Sequence, residues 1–123
     1  MRALILFAHG ARDAGWADPF ERLAARVRQI APGHEVRLAF LELMHPDLGE
    51  AAAELVASGA TAISVVPIFL GPGGHIRRDL PLLIRELQAR HPGVQIDSVT
   101  PAGEDDVVLG AIAAYCARQL GNR

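Results

Sequence analysis

Six apolar residues in succession, Ala3-Leu4-Ile5-Leu6-Phe7-Ala8, stop abruptly at His9-Gly10. A short apolar run without polar alternation is the pattern of a strand covered on both faces. Over residues 17–31 the spacing changes, and Phe20, Leu23, Ala24, Val27 and Ile30 recur at helical intervals. Asp18 reads as the N-cap with Pro19 at the first helical position, and Pro32-Gly33 as the stop. Alternation returns over 35–41 with Val36, Leu38 and Phe40, a second strand. Pro46-Asp47 then opens a helix through Leu48, Ala52, Leu55 and Val56, closed by Ser58-Gly59.

The third strand covers 61–66 and runs into Pro67-Ile68-Phe69-Leu70 and a loop, Gly71-Pro72-Gly73-Gly74-His75. The next helix carries Leu80, Leu83, Ile84 and Leu87 as its apolar stripe and ends at His91-Pro92-Gly93. Val94, Ile96 and Val99 mark a short fourth strand. The last helix covers roughly 105–120 and is expected to turn Val108, Ile112, Tyr115, Cys116 and Leu120 inward. Strand and helix alternate four times, which predicts an α/β fold of three αβα layers. Its four-stranded parallel sheet has the common order 2-1-3-4, with helices on both faces. At 123 residues the expectation is one domain, residues 1–123.

Composition narrows the classes. Half of the residues are apolar and 21% are charged, which excludes a disordered or low-complexity chain. Twelve Arg and no Lys stand against fourteen acidic residues, so no basic excess points to nucleic acid. The apolar runs are far shorter than a membrane span. The segment before His9 reads as a strand rather than a leader peptide, and the expectation is a cytoplasmic protein. One cysteine, Cys116, excludes an internal disulfide framework and any multi-cysteine zinc site; its spacing reads as core.

In an open α/β sheet, ligands bind beyond the carboxyl ends of the strands, near the point where strand order reverses. His9 follows strand one, and His75 follows strand three through the glycine loop. In the order 2-1-3-4 these two strand ends lie about 4.8 Å apart, so both imidazoles can face one crevice. Paired imidazoles suit a first-row divalent metal and proton transfer near neutral pH. Two protein ligands are fewer than the three or four of a resident zinc, which fits an ion that is passed on. Each histidine equally suits a strand-end hydrogen bond. Glu42, at the end of strand two, is a candidate proton acceptor or orienting group, or a loop hydrogen-bonder. Arg12, Arg77 and Arg78 can pair with carboxylates or phosphates, or lie solvated. Gly73 and Gly74 permit close backbone approach. His45 reads as a loop residue at the start of a helix, and His34 and His91 as solvated turn residues on the opposite edge. No Gly-Lys-Ser/Thr ending follows the glycine loop and no Gly-x-Gly-x-x-Gly follows strand one, so nucleotide sites are poorly supported.

Three segments carry a resemblance: Ala8-His9-Gly10-Ala11-Arg12-Asp13; Phe40-Leu41-Glu42-Leu43 with Pro46; and Val66 through Pro81, with its Gly-Gly-His and Arg-Asp-Leu-Pro. Through them nearly the whole chain resembles the short sirohydrochlorin chelatases, the CbiX-type cobaltochelatases of the class II chelatase superfamily. The resemblance implies insertion of Co²⁺, Ni²⁺ or Fe²⁺ into sirohydrochlorin or a related carboxylated tetrapyrrole, without an organic cofactor. It places the family's metal-binding histidines on His9 and His75. Ala11 stands where the family often has Ser. The short members resemble half of longer two-domain members, which implies a homodimer here. Phe69, Leu70 and Met44 are expected to wall the macrocycle. The alternatives are a non-enzymatic metal or tetrapyrrole carrier of the same fold, and a histidine phosphotransferase. The latter is disfavoured because Ala8 stands where such enzymes carry Arg before the histidine.

Overall fold

The computed structural model describes residues 1–71 and 73–121; Pro72, the last two residues and the side chain of His75 lie outside the description. Four strands, β1 (Arg2–Ala8), β2 (Glu35–Phe40), β3 (Ala62–Pro67) and β4 (Gln95–Ser98), form one sheet in the order β2-β1-β3-β4. Every pairing is parallel. The expected order is therefore found, with β1 flanked on both sides, Phe7 opposite Ala39 on β2 and Pro67 on β3.

The helices are α1 (Asp18–Ile30), α2 (Leu48–Ala57), α3 (Gly74–Arg90) and α4 (Asp106–Arg118), with 3-10 turns at Ala14–Ala17 and Ala102–Glu104. Side chains of a strand alternate between faces. Ile5, Phe7, Ile63, Val65 and Ile96 therefore share one face, packed with Leu48, Leu55, Ile84 and Leu87 of α2 and α3. Leu6 and Val36 share the other with Ala24 of α1. Asp47 caps α2 through a capping box: its carboxylate accepts from the Glu50 N–H at 2.8 Å, and Glu50 accepts from the Asp47 N–H at 2.8 Å.

Four expectations fail locally. The N-cap of α1 is Ala17, and Asp18 and Pro19 are already helical, because the 3-10 turn capped by Asp13 feeds straight into α1. Ile30, expected inward, is exposed in the last turn. Helix α3 starts inside the glycine loop, so that Gly74 and His75 belong to its first turn. The largest departure is α4: Val108, Ile112, Tyr115, Cys116 and Leu120 are all exposed, and its main neighbour is the 3-10 turn just before it. The apolar pattern registered a surface suited to burial, which the rest of this chain does not bury.

Candidate functional site

The carboxyl edge of the sheet is built around the end of β1. The Ala8 carbonyl accepts from the Leu41 N–H at 2.9 Å, and the His9 carbonyl accepts from the Glu42 N–H at 3.1 Å. On the other side the Phe7 carbonyl accepts from the Ile68 N–H at 2.8 Å. His9 is thus held by its backbone between the loops that leave β2 and β3, while its side chain is exposed. Its ring meets Phe69 edge-on, with centroids 6.5 Å apart, and Phe69 meets the buried Phe7 in the same manner at 6.0 Å.

Gly10 explains how the chain turns there. Its φ is +97°, a conformation that L side chains rarely adopt, and a β-carbon at this position would run into the Glu42 carbonyl oxygen. The His-Gly pair therefore joins an exposed imidazole to the one residue type that lets the β2 loop close against it. The same loop holds Leu43 at φ +66°, an uncommon conformation for a non-glycine residue. It is also tied back by the Phe40 N–H, which donates to the Pro46 carbonyl at 3.0 Å.

A second glycine, unremarked in the sequence pattern, shapes the far side. Gly103 is buried, its N–H donates to the Phe69 carbonyl at 2.8 Å, and a β-carbon on it would overlap the Leu70 backbone. The turn after β4 thereby braces the segment leading to Gly73, Gly74 and His75. Nothing local in the sequence discloses this, because the contact joins residues far apart along the chain.

The expected site residues divide as follows. His9 and the Glu42 backbone meet directly, and both side chains are exposed. His75 lies in the first turn of α3, which leaves the same edge from β3, the neighbour of β1; its side chain is outside the described residues. Gly73 is the N-cap of α3 with φ −69°, and Gly74 follows it; a β-carbon on either would meet open space. Arg12 and Arg78 are exposed, and the Arg78 Nε–H donates to the Gly74 carbonyl at 3.4 Å. Arg77 is exposed as well and also lines a shallow groove of about 180 Å³ between α3 and the turn after β4, together with Pro67, Ser98 and Glu104.

Of the apolar walls, Phe69 is half-buried and Met44 packs beside Trp16 and Phe40, whereas Leu70 is 67% exposed. A larger groove, about 470 Å³, lies between α2 and α3, lined by Phe7, Leu41, Glu50 and Arg90 among others; His9 is not part of it. His45 is a helix-start residue: its Nδ1 lies 2.8 Å from Glu50 Oε1, and this ion-pairing hydrogen bond raises the His45 pKa above the ordinary imidazole value and lowers that of Glu50. On the opposite edge His34 bonds the Arg2 carbonyl at 3.1 Å, and His91 caps the end of α3. Among the described residues no three His, Cys, Asp or Glu side chains gather, and no helix is long and apolar enough to cross a membrane.

Residues 3–119 match the CbiX family. A sirohydrochlorin cobaltochelatase from Saccharolobus solfataricus is 32% identical over 114 residues, 88% of each chain. One from Methanopyrus kandleri is 34% identical over 84 residues, a match that spans 68% of this chain and 59% of the relative. The fold superimposes on a putative cobalamin biosynthesis CbiX protein from Marinobacter aquaeolei VT8 with a TM-score of 0.87, at 33% identity and 98% coverage of both chains. It also superimposes on SirB from Bacillus subtilis with Fe³⁺, with a TM-score of 0.84 at 26% identity, where 99% of this chain covers 48% of that one. With the family matched across nearly its whole length and the strand-end histidine on the expected edge, this chain belongs to the CbiX family.

Proposed function

We propose that the protein is a sirohydrochlorin chelatase, a lyase-class enzyme that inserts a divalent metal, Co²⁺ or alternatively Ni²⁺ or Fe²⁺, into sirohydrochlorin or a related carboxylated tetrapyrrole. The observation that carries the reading is His9: an exposed imidazole whose backbone is fixed on both sides at the carboxyl edge, in a chain matched to named cobaltochelatases over most of its length. Among the described residues no hydrogen bond of its side chain accounts for an imidazole there, whereas His34 and His45 have such bonds.

Insertion joins one M²⁺ to a macrocycle that gives up two pyrrole protons, so the site must present the metal and accept protons. A neutral imidazole nitrogen does one or the other, never both at once. In this reading His9 and His75 hold the incoming ion, and an imidazole freed of metal, or the exposed Glu42 carboxylate, takes the protons to solvent. Arg12 and Arg78, with a lesser part for Arg77, pair with rim carboxylates. Gly73 and Gly74 let the macrocycle approach the backbone: neither a left-handed φ nor a close contact within the chain requires glycine there. The metal is substrate, and no organic cofactor enters the chemistry.

One copy offers an open edge, while a flat, wide macrocycle needs two walls. The working unit in this reading is a cytoplasmic homodimer of a single-domain chain, residues 1–123. The test is anaerobic incubation of sirohydrochlorin with Co²⁺, Ni²⁺ or Fe²⁺, followed by absorbance with and without the protein. Catalysed, multiple-turnover insertion of at least one metal is expected. Stoichiometric binding without acceleration would instead make the protein a carrier.

A further inference from the structure

Leu43 combines two features that each work against it within this chain. It is 57% exposed, and its φ is +66°. An exposed leucine alone is ordinary, but a bulky side chain at left-handed φ crowds its own backbone and is rare. Among the described residues every other positive φ belongs to glycine: Gly10, Gly33, Gly59 and Gly121.

The conformation is imposed from both sides. Before Leu43, the Leu41 N–H donates to the Ala8 carbonyl at 2.9 Å and the Glu42 N–H to the His9 carbonyl at 3.1 Å; after it, the Phe40 N–H closes the loop by donating to the Pro46 carbonyl at 3.0 Å. Among the described residues the Leu43 side chain joins no apolar cluster, unlike Leu41 and Met44 in the same loop. Backbone strain that persists because its surroundings impose it collects at functional sites.

Across β1 stands a counterpart. Leu70, in the loop that leaves β3, is also largely exposed, and its backbone rests against the buried Gly103. Strands β2 and β3 flank β1, so their ends lie about 10 Å apart, with the exposed His9 between them.

We infer that Leu43 is a substrate-contacting residue: with Leu70 it supports one apolar face of the tetrapyrrole, on either side of His9. The inference rests on the chelatase reading above and deepens it. The carboxylates of such a macrocycle lie on its rim, within the reach of arginines, whereas its faces are flat and apolar and gain from burial against leucine. Supports on both sides of His9 hold the ring level over the imidazole, which contacts at the rim alone do not. A macrocycle of four linked pyrroles is broad enough to touch both.

Anaerobic titration of the metal-free protein with sirohydrochlorin, followed by absorbance, measures binding without insertion. Glycine and asparagine both accept a left-handed φ. Leu43→Gly and Leu43→Asn are therefore expected to melt at or above the wild-type Tm, yet to raise the Kd about ten-fold, the scale of one leucine's burial. Leu70→Asn should raise it similarly. Leu43→Met, apolar but no better suited to the turn, should bind as wild type does. A wild-type Kd in Leu43→Gly and Leu43→Asn, or an equal loss in Leu43→Met, overturns the inference while metal insertion by wild type keeps the chelatase reading. So does a halved mass of Leu43→Asn by light scattering at unchanged Kd, which would give this leucine to a second copy. A wild type that neither binds sirohydrochlorin nor accelerates insertion overturns both.

Discussion

Gly10 and Glu42 meet backbone to backbone: the Glu42 carbonyl oxygen occupies the space where a β-carbon of Gly10 would stand, and the Glu42 N–H donates to the carbonyl of His9 at 3.1 Å. The exposed imidazole is therefore positioned by a contact that only glycine permits. Gly33 supplies the control, because its φ is also left-handed, +88°, but open space surrounds it. Gly33→Ala should cost about 1–2 kcal/mol for the left-handed backbone alone and leave metal insertion unchanged. Gly10→Ala should cost more in thermal unfolding and reduce insertion on the order of 100-fold through displacement of His9 and Glu42. Equal insertion rates in the two variants would separate Gly10 from the site.

His9→Ala and His75→Ala should fold normally by circular dichroism and lose most of the insertion rate, since alanine has no lone pair to offer a metal. His34→Ala and His91→Ala, at the other sheet edge, should insert metal near the wild-type rate. If His9→Ala and His75→Ala are both folded and insert metal at the wild-type rate, neither imidazole takes part in metal delivery.

The strand order, and with it the shared edge of His9 and the His75 turn, was legible because apolar runs and glycine stops are local signals. What escaped was non-local. Gly103 owes its identity to Leu70, more than thirty residues away in a different loop. The first turn of α3 was hidden because Gly-Pro-Gly-Gly favours coil, although the backbone of Gly74 is helical. The helix of α4 was legible, but its burial was not, for a third reason: an apolar periodicity reports that a residue suits burial and says nothing of what buries it. Arg77 was grouped with Arg12 and Arg78 because all three follow a strand-end histidine closely; all three are exposed, but Arg77 also lines the groove beside Glu104, which the sequence does not disclose.

That separation gives a kinetic prediction. Arg12→Gln and Arg78→Gln should raise KM for the tetrapyrrole with little change in kcat, as expected when binding common to ground and transition states is lost. The rise should shrink at high salt, where rim charges are screened. Arg77→Gln should raise KM less than either. A collapse of kcat at unchanged KM would assign these side chains to the chemical step.

His45 and Glu50 predict a local pH dependence of stability. The hydrogen bond and attraction of Glu50 raise the His45 pKa, and the same bond lowers that of Glu50. The His45 contribution is fully present below the ordinary imidazole pKa of 6.5 and is lost as pH rises through its raised folded value. The Glu50 contribution is present above its ordinary 4.5 and is lost as pH falls through its lowered value. The pair therefore supports the start of α2 most between those ordinary values. An NMR titration should place the His45 midpoint above 6.5, and Glu50→Gln should return it there. An unshifted midpoint in wild type would remove this pair from the account of α2.

Gly73 and Gly74 offer the sharpest separation of folding from function. Neither has a left-handed φ, and among the described residues nothing beyond the adjoining backbone lies within 4 Å of where a β-carbon would stand. Alanine should fit both positions without strain. At Gly74, inside the first turn of α3, Gly→Ala should stabilise the fold by about 0.5–1 kcal/mol through better helix propensity and a less flexible unfolded chain. If the macrocycle lies against this backbone, the added methyl occupies space the substrate needs, and Gly73→Ala and Gly74→Ala should each raise KM for sirohydrochlorin. Stability and affinity then move in opposite directions within one variant, which a damaged fold cannot mimic. Thermal unfolding and steady-state kinetics on the same preparations decide it: Gly74→Ala with a higher Tm and wild-type KM would place the substrate elsewhere.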